Sequence, residues 1–542
     1  MKRPAAATTL FALLLAAPGP GWGDRKKVNL SPARWPSGDL EKYAELTHDS
    51  IRPQEQAAGR EGMVVGTTGA LAVRSGLEAL RQGGSAADAA IATALVQVTL
   101  AAGCWVSFAG RWSMIYYDAS TGEVHSLNAN YNTVLGEDDP LSIPSAPEPS
   151  GRTALVPGFL AGVEATHQRF GKLKFKKLFK PAIYFARQGF EVYPLLASLI
   201  QFRGDVLTRL PAARAIFTKP DGSLYQVGDR FRQLELAKTL GRVSKQGADY
   251  AYRGPWARRF VDAVAAQGGK MTLEDLERYE VIWAPPERGS FYGDRVWGPA
   301  PPALGGERAV ASFRGIQSRG LPARGHYAES GDLLHEMMTI TRRVRGIPAA
   351  ASRGFGGHSD GVIAVDAEGN VATVVHTINT DAWGSTGIFV DGVSIPDSAW
   401  FQQQRIADTG PGNRLPEPSN PLIVTRKGEP VLASSAIGAG LFEVTIQAVA
   451  NALAWGMSPI EARDAPAYHG VDSLTDGQPQ FVRRGDFDDQ VIDRVRELGI
   501  PVRLFSDGDG AAGTWIGVTI DPDTGEILGV AGRRLNGWAE GL

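Results

Sequence analysis

The chain has 542 residues, a formal net charge of −2, 43% hydrophobic and 21% charged residues; this balance permits a large folded core, excludes a disordered polymer and supplies no global field that would gather nucleic acid or anionic lipid. Its single cysteine, Cys104, excludes an intramolecular disulfide and a cysteine-rich metal site.

Lys2 and Arg3 precede an apolar run from Ala5 to Ala17, followed by a Pro/Gly break and the polar Asp24-Arg25-Lys26-Lys27. The pattern predicts a signal peptide over 1–23 and a periplasmic or secreted product, with an uncleaved anchor as the alternative. No later run reaches about 20 uninterrupted apolar residues, so no membrane contact is expected after signal removal. Residues 24–61, polar and broken by Pro32, Pro36 and Pro53, predict an extended lead-in. Met63 to Gly66 reads as a strand, and Ala70 to Gln82 as a helix stopping at Gly83-Gly84. Ser85 caps a second helix, Ala86 to Leu100, whose apolar residues on nearly every face predict an interior position. Trp112 to Leu127 reads as a hairpin around Asp118–Gly122.

The middle, Pro157 to Ala284, is mainly helical, including Ala161 to Arg169 and Leu273 to Tyr279 with Thr272 as its cap. Residues 285–306 read as extended, and 306–357 as a loose stretch around one helix at Asp332 to Arg345. Two strands follow, Gly361 to Asp366 and Asn370 to Thr377, joined by the tight turn Ala367-Glu368-Gly369. Farther on come a helix from Glu443 to Trp455 and strands Trp515 to Ile520 and Ile527 to Ala531.

Familiar chemistries fail on residue identity. His335-Glu336 lacks a second histidine because Thr339 stands there, and the calcium-like Asp507-Gly508-Asp509-Gly510 meets Val518 where a bidentate glutamate belongs. No phosphate loop, dinucleotide fingerprint or nucleophile elbow is present. One segment stands out, Gly356-Gly357-His358-Ser359-Asp360, which joins the loose stretch to a predicted strand. A serine there is commonly a turn residue.

From Ser359 onward the sequence Ser-Asp-Gly-Val-Ile-Ala-Val-Asp-Ala-Glu-Gly-Asn-Val-Ala-Thr-Val-Val-His-Thr-Ile-Asn-Thr resembles the opening of the small subunit of gamma-glutamyltransferases. The likeness extends through Gly76-Leu77-Glu78, Gly83–Ala89, Val156-Pro157-Gly158, Pro301–Gly306 and Ala465–His469. It implies a four-layer αββα sandwich of the N-terminal-nucleophile hydrolase type, an α/β (α+β) fold. It also implies a precursor that cuts itself between His358 and Ser359, giving a large-subunit region 62–358 and a small-subunit region 359–542 in one intertwined domain. By the same resemblance Ser359 is the nucleophile, Thr377 its hydrogen-bonding partner and Asn379 a substrate contact. Gly438 and Gly440 supply oxyanion donors. Thr377 and Asn379 as strand-end residues, and both glycines as plain turn residues, remain the alternatives. No cofactor or metal is implied; the partner is a small-molecule amide or peptide.

Several substrate contacts of the family have changed. Its arginine aligns with Asn130, its acidic residue falls near Asp397 but out of register, and Glu417-Pro418 replaces a Ser-Ser pair. Trp105–Trp112 replaces a glycine-rich turn and brings two indoles, a phenyl ring and Arg111, which stands in for the arginine or serves structure. An amidohydrolase or acyltransferase with altered acyl specificity is expected. A true gamma-glutamyltransferase with relocated contacts and an inactive binding protein on the same fold are the alternatives.

Overall fold

The helix Ala86–Leu100 is buried at every position, as its all-round apolar sequence requires. It lies against the helix Ala70–Arg81 so closely that a Cβ on Gly76 would stand 2.1 Å from Thr93 Oγ1, so a larger residue there would push the two apart. The computed structural model describes residues 28–48, 56–345, 359–470, 479–506, 512–532 and 536–542. The expected signal peptide and His358 lie outside them.

Two antiparallel seven-stranded sheets form the centre. In spatial order the first holds Trp538–Gly541, Met63–Gly66, Asp360–Val365, Val371–Thr377, Arg111–Asp118, Glu123–Ala129 and Ile282–Ala284. The second holds Gln56–Gly59, Ile527–Val530, Thr514–Ile520, Glu429–Ile437, Leu422–Arg426, Asp294–Gly298 and Glu287–Phe291. Met63, Val65, Ile115, Ile363 and Val365 of the first meet Ile423, Ala433, Ile516 and Val518 of the second. The opposite faces carry helices: Val362, Ala364, Ala372 and Val374 pack under the 70–81 and 86–100 pair, and Leu422, Val424 and Leu432 under Gly305–Ser318, Gly331–Arg345 and Leu441–Ala454. This is the expected αββα order, and strict alternation along each strand produces it.

The turn between Asp360–Val365 and Val371–Thr377 is fixed by one carboxylate. Asp366 Oδ1 accepts the amides of Glu368 and Asn370 at 3.0 and 3.1 Å, and its Oδ2 accepts the amide of Ala86 at 2.9 Å. Asn370 Oδ1 in turn accepts the Ala119 amide of the neighbouring hairpin at 2.9 Å.

Two expectations need correction. The lead-in contains the helix Asp39–His48, and Gln56–Gly59 is an edge strand. Only Tyr43 and Thr47 of that helix are buried, too few apolar positions to reveal it; the Tyr43 hydroxyl donates to Glu540 at 2.5 Å and Asp39 accepts from Arg74. The stretch after Gly306 holds a second helix, Gly305–Ser318, which buries Ala309, Phe313 and Ile316. Its glycines and the partly buried Arg308 obscure the period, while packing on the second sheet determines its state.

Asp88 connects this architecture through Oδ2, which accepts the amides of Ser85, Lys172 and Leu173 at 3.1, 2.9 and 2.9 Å. Asp88→Ala strands these donors and is expected to lower unfolding free energy by about 3 kcal/mol, read as a lower urea midpoint. A midpoint equal to the parent's would contradict the role given to this carboxylate.

Candidate active site

Asp360 pairs with His376 across the antiparallel ladder. Continuing that register by one residue sets Ser359 opposite Thr377, which itself pairs with Arg111 on the next strand. Directly opposed residues of neighbouring strands point to one face, so these three side chains form a row on the face turned toward the second sheet. Ser359 is buried to 7% exposure.

The second sheet brings its glycine loop to the same end. A Cβ on Gly361 would lie 2.7 Å from Ser435 Oγ, whereas at the far end of the strands Tyr117, paired with Val371, reaches Glu429 at 3.5 Å. The strands Asp360–Val365 and Glu429–Ile437 therefore run in opposite senses across the sandwich, and Ser359 and Gly438 emerge together. Gly438 has φ +89°. Gly440 stands at the N-terminal end of the helix Leu441–Ala454, where the first amides lack intrahelical acceptors.

Beyond Thr377 the chain is held in unusual backbone conformations. Asn379 and Trp383 have φ of 54° and 56°, and an aromatic residue in the left-handed region is rare enough to signal an imposed conformation. Trp383 is imposed upon by its neighbours: its amide donates to Cys104 O at 2.7 Å and its indole to Ala102 O at 2.9 Å. Thr377 Oγ1 accepts the Asn379 amide at 2.9 Å. Within 371–390, Asn379 and Asp381 alone are not buried. Burial, with Asp397 nearby, lifts Asp381 to about 6. Asp397 itself is enclosed, accepting from the Thr380 hydroxyl and the Ser385 amide at 2.6 Å each, so it clamps the loop.

Arg111 reaches this end from inside. Its guanidinium forms a buried ion pair with Glu417 and donates to Ser419 Oγ at 2.9 Å and to Asn130 Oδ1 and Asn379 Oδ1 at 3.4 Å each. Asn130 Nδ2 donates to Glu417 Oε1 at 3.4 Å, and the Ser419 amide and hydroxyl donate to Oε2 at 2.9 and 2.8 Å. Burial presses Arg111 down to about 9, which leaves it charged at neutral pH. Asn130 is wholly buried around this pair. The sequence placed Glu417 among the altered positions without assigning it a site role; its position in the polar run ahead of an apolar strand was the available signal.

The aromatic segment faces elsewhere. Trp105, Phe108 and Trp112 are 2%, 3% and 0% exposed, and the latter two rings pack edge-on against Phe159. The Trp105 indole donates to Asp360 Oδ2 at 3.0 Å, while Thr67 and Thr68 hydroxyls donate to Oδ1 at 2.9 and 2.8 Å. This cluster lies on the helix-facing side, opposite Ser359, and anchors the first residues of the strand. His376, also on that side, is pushed down to about 3 by burial and is a neutral core group.

A model of the Gamma-glutamyltranspeptidase family matches residues 72–344. The chain is similar to the glutathione hydrolase proenzyme of Bacillus subtilis (strain 168), 24% identical over 553 residues that cover 89% of this chain and 92% of that protein. It is also similar to the acylase ACY 1 proenzyme of Pseudomonas sp. (strain SE83), 26% identical over 549 residues that cover 89% and 94%. A solved cephalosporin acylase from Bacillus halodurans shares its fold, with TM-score 0.75 and 22% identity over 91% of this chain and 97% of that one.

The Asp360 carboxyl makes stability pH-dependent. Burial lifts it to about 7 against the three donated hydrogen bonds. Between about pH 4 and 7 the folded chain retains a proton that the unfolded chain has lost, so this group's contribution declines with rising pH by about 1.4 kcal/mol per unit and then levels off. The unfolding midpoint of Asp360→Asn relative to the parent is expected to rise between about pH 4 and 7 and to level off above; parallel curves would refute the assignment.

Proposed function

The chain belongs to the gamma-glutamyltranspeptidase family, and from that premise we propose that it is a self-processing amide hydrolase or acyltransferase whose nucleophile is Ser359 at a new N-terminus. The register that sets Ser359 opposite Thr377, with Gly438 emerging at the same end, carries this reading. A serine hydroxyl is a weak nucleophile until a base takes its proton. Cleavage of the His358–Ser359 bond turns an amide nitrogen, which accepts no proton, into an α-amine that ordinarily titrates at about 7.7–8.0. That amine receives the hydroxyl proton as Oγ attacks the substrate carbonyl and later passes it to the departing amine. The acyl-enzyme is released to water or to an acceptor amine.

Thr377 orients the hydroxyl from the facing strand, and amides of the Gly438–Gly440 turn, beside the N-terminus of a 14-residue helix, stabilise the oxyanion. Asn379, on the partly exposed loop, contacts the acyl group. Large and small subunits come from one precursor, and the Lys2–Ala17 pattern directs the product to the periplasm or beyond the cell. Among the described residues no helix is long and apolar enough to cross a membrane.

The acyl group differs from γ-glutamyl. Asn130 fills the position where the resembled family carries an arginine, and Asp397 is buried with each oxygen already accepting a hydrogen bond, from Thr380 and from Ser385. The similarity to an acylase proenzyme supports the same reading.

Denaturing electrophoresis with N-terminal sequencing is expected to find a small subunit beginning at Ser359, absent from Ser359→Ala, with amidase activity lower by about 10³-fold or more in the variant. A purified chain that remains intact yet turns over amides would overturn the nucleophile assignment. Efficient cleavage of γ-glutamyl p-nitroanilide would overturn the specificity.

A further inference from the structure

Arg111 is the cation in the Ser359–Thr377–Arg111 row. Two strand spacings, about 10 Å between backbones, separate it from Ser359, and its side chain points to the same face. Both terminal nitrogens are engaged at the active end: one donates to Ser419 and Asn130, the other to Asn379, the partly exposed residue. A guanidinium so placed is the natural receptor for a carboxylate carried by an acyl group, because its planar fork matches two carboxylate oxygens. Here that receptor is filled from within by Glu417, which is 2% exposed and held by Asn130 and by the Ser419 amide and hydroxyl.

We propose that Glu417 is a built-in occupant of a carboxylate-binding site: it takes the place of a substrate carboxylate on Arg111 and restricts the enzyme to acyl groups that are uncharged at that point. A second carboxylate approaching Arg111 meets a compensated charge and the negative end of Glu417, while a neutral acyl chain leaves the pair intact. Specificity thus resides partly in a residue that repels the wrong substrate. The substrate side of this inference rests on Ser359 being the acylated residue; occupancy of Arg111 by Glu417 does not.

The test has two arms. In the first, thermal midpoints of Glu417→Ala and Glu417→Ser are measured in roughly 100 mM sodium propionate or glutarate against sodium chloride of equal ionic strength. The expected result is a carboxylate-specific rise of about 3 °C or more in both variants, absent from the parent and from Arg111→Met/Glu417→Ala. If Glu417→Ala folds only when propionate is present, that dependence is the same rescue. An equal rise in the parent, or none in either variant, overturns the proposal. The second arm compares hydrolysis of glutaryl and hexanoyl p-nitroanilides. Glu417→Ser is expected to shift the kcat/KM ratio toward glutaryl by about tenfold or more, and an unchanged ratio in active, processed protein overturns the specificity claim. Loss of both activities in the parent together with intact carboxylate rescue would refute the acyl-transfer reading and leave the occupied site standing.

Discussion

Everything at the end of the sandwich where Ser359 emerges depends on one strand register. The pairing of Asp360–Val365 with Val371–Thr377 places Ser359 against Thr377 only because the connecting turn has a defined length, and Asp366 defines it by accepting two amides of its own turn. The same carboxylate accepts the first amide of the helix 86–100, so the hairpin is fixed to the layer beneath it as well as closed on itself. A slip of one residue would reverse every side chain and carry Ser359 from the inter-sheet face to the helix face. The Asp-x-x-Gly-Asn pattern that supports the family resemblance therefore has a mechanical meaning.

Around that register, buried charges are satisfied from within the protein. Arg111 is matched by Glu417, and Asp397 by Thr380 and the Ser385 amide. Asp360, on the reverse face of the same strand, collects three donors. The cost of placing ionisable groups beside the site is met by fixed neighbours, which confers rigidity and narrows what a ligand can contribute. Asn379 and Asp381 differ, remaining partly exposed on a loop whose backbone is forced into shape by Trp383 and Cys104.

Much of this was legible in the sequence. The helix at 86–100, both hairpins and the 361–377 strand pair follow from periodicity and turn chemistry, because their burial is nearly complete and their patterns are unambiguous. The helices at Asp39–His48 and Gly305–Ser318 were not legible, since few of their residues face the core in the first and glycines dilute the second. At the site, the hairpin itself sets Ser359 against Thr377, but Arg111 joins them through strand order, which no local pattern encodes. Glu417 lies 306 positions after Arg111 in the chain, and only the closing of both sheets brings its carboxylate to the guanidinium. The aromatic residues at 105–112, which replace a glycine-rich turn of the resembled family, lie with their rings in the core, a placement that their residue types alone do not specify.

The interleaving of the strands has one more consequence. In the first sheet Met63–Gly66, from before Ser359, lies between Trp538–Gly541 and Asp360–Val365 from after it; in the second, Gln56–Gly59 borders Ile527–Val530 and Asp294–Gly298 borders Leu422–Arg426. A backbone break just ahead of Ser359 would create two chains with no separable bodies. Neither fragment owns a complete sheet, so parting them would expose unpaired edges and the whole inter-sheet core at once. Dissociation and unfolding become the same event, and an enzyme of this construction keeps its two pieces together at any dilution at which it keeps its fold.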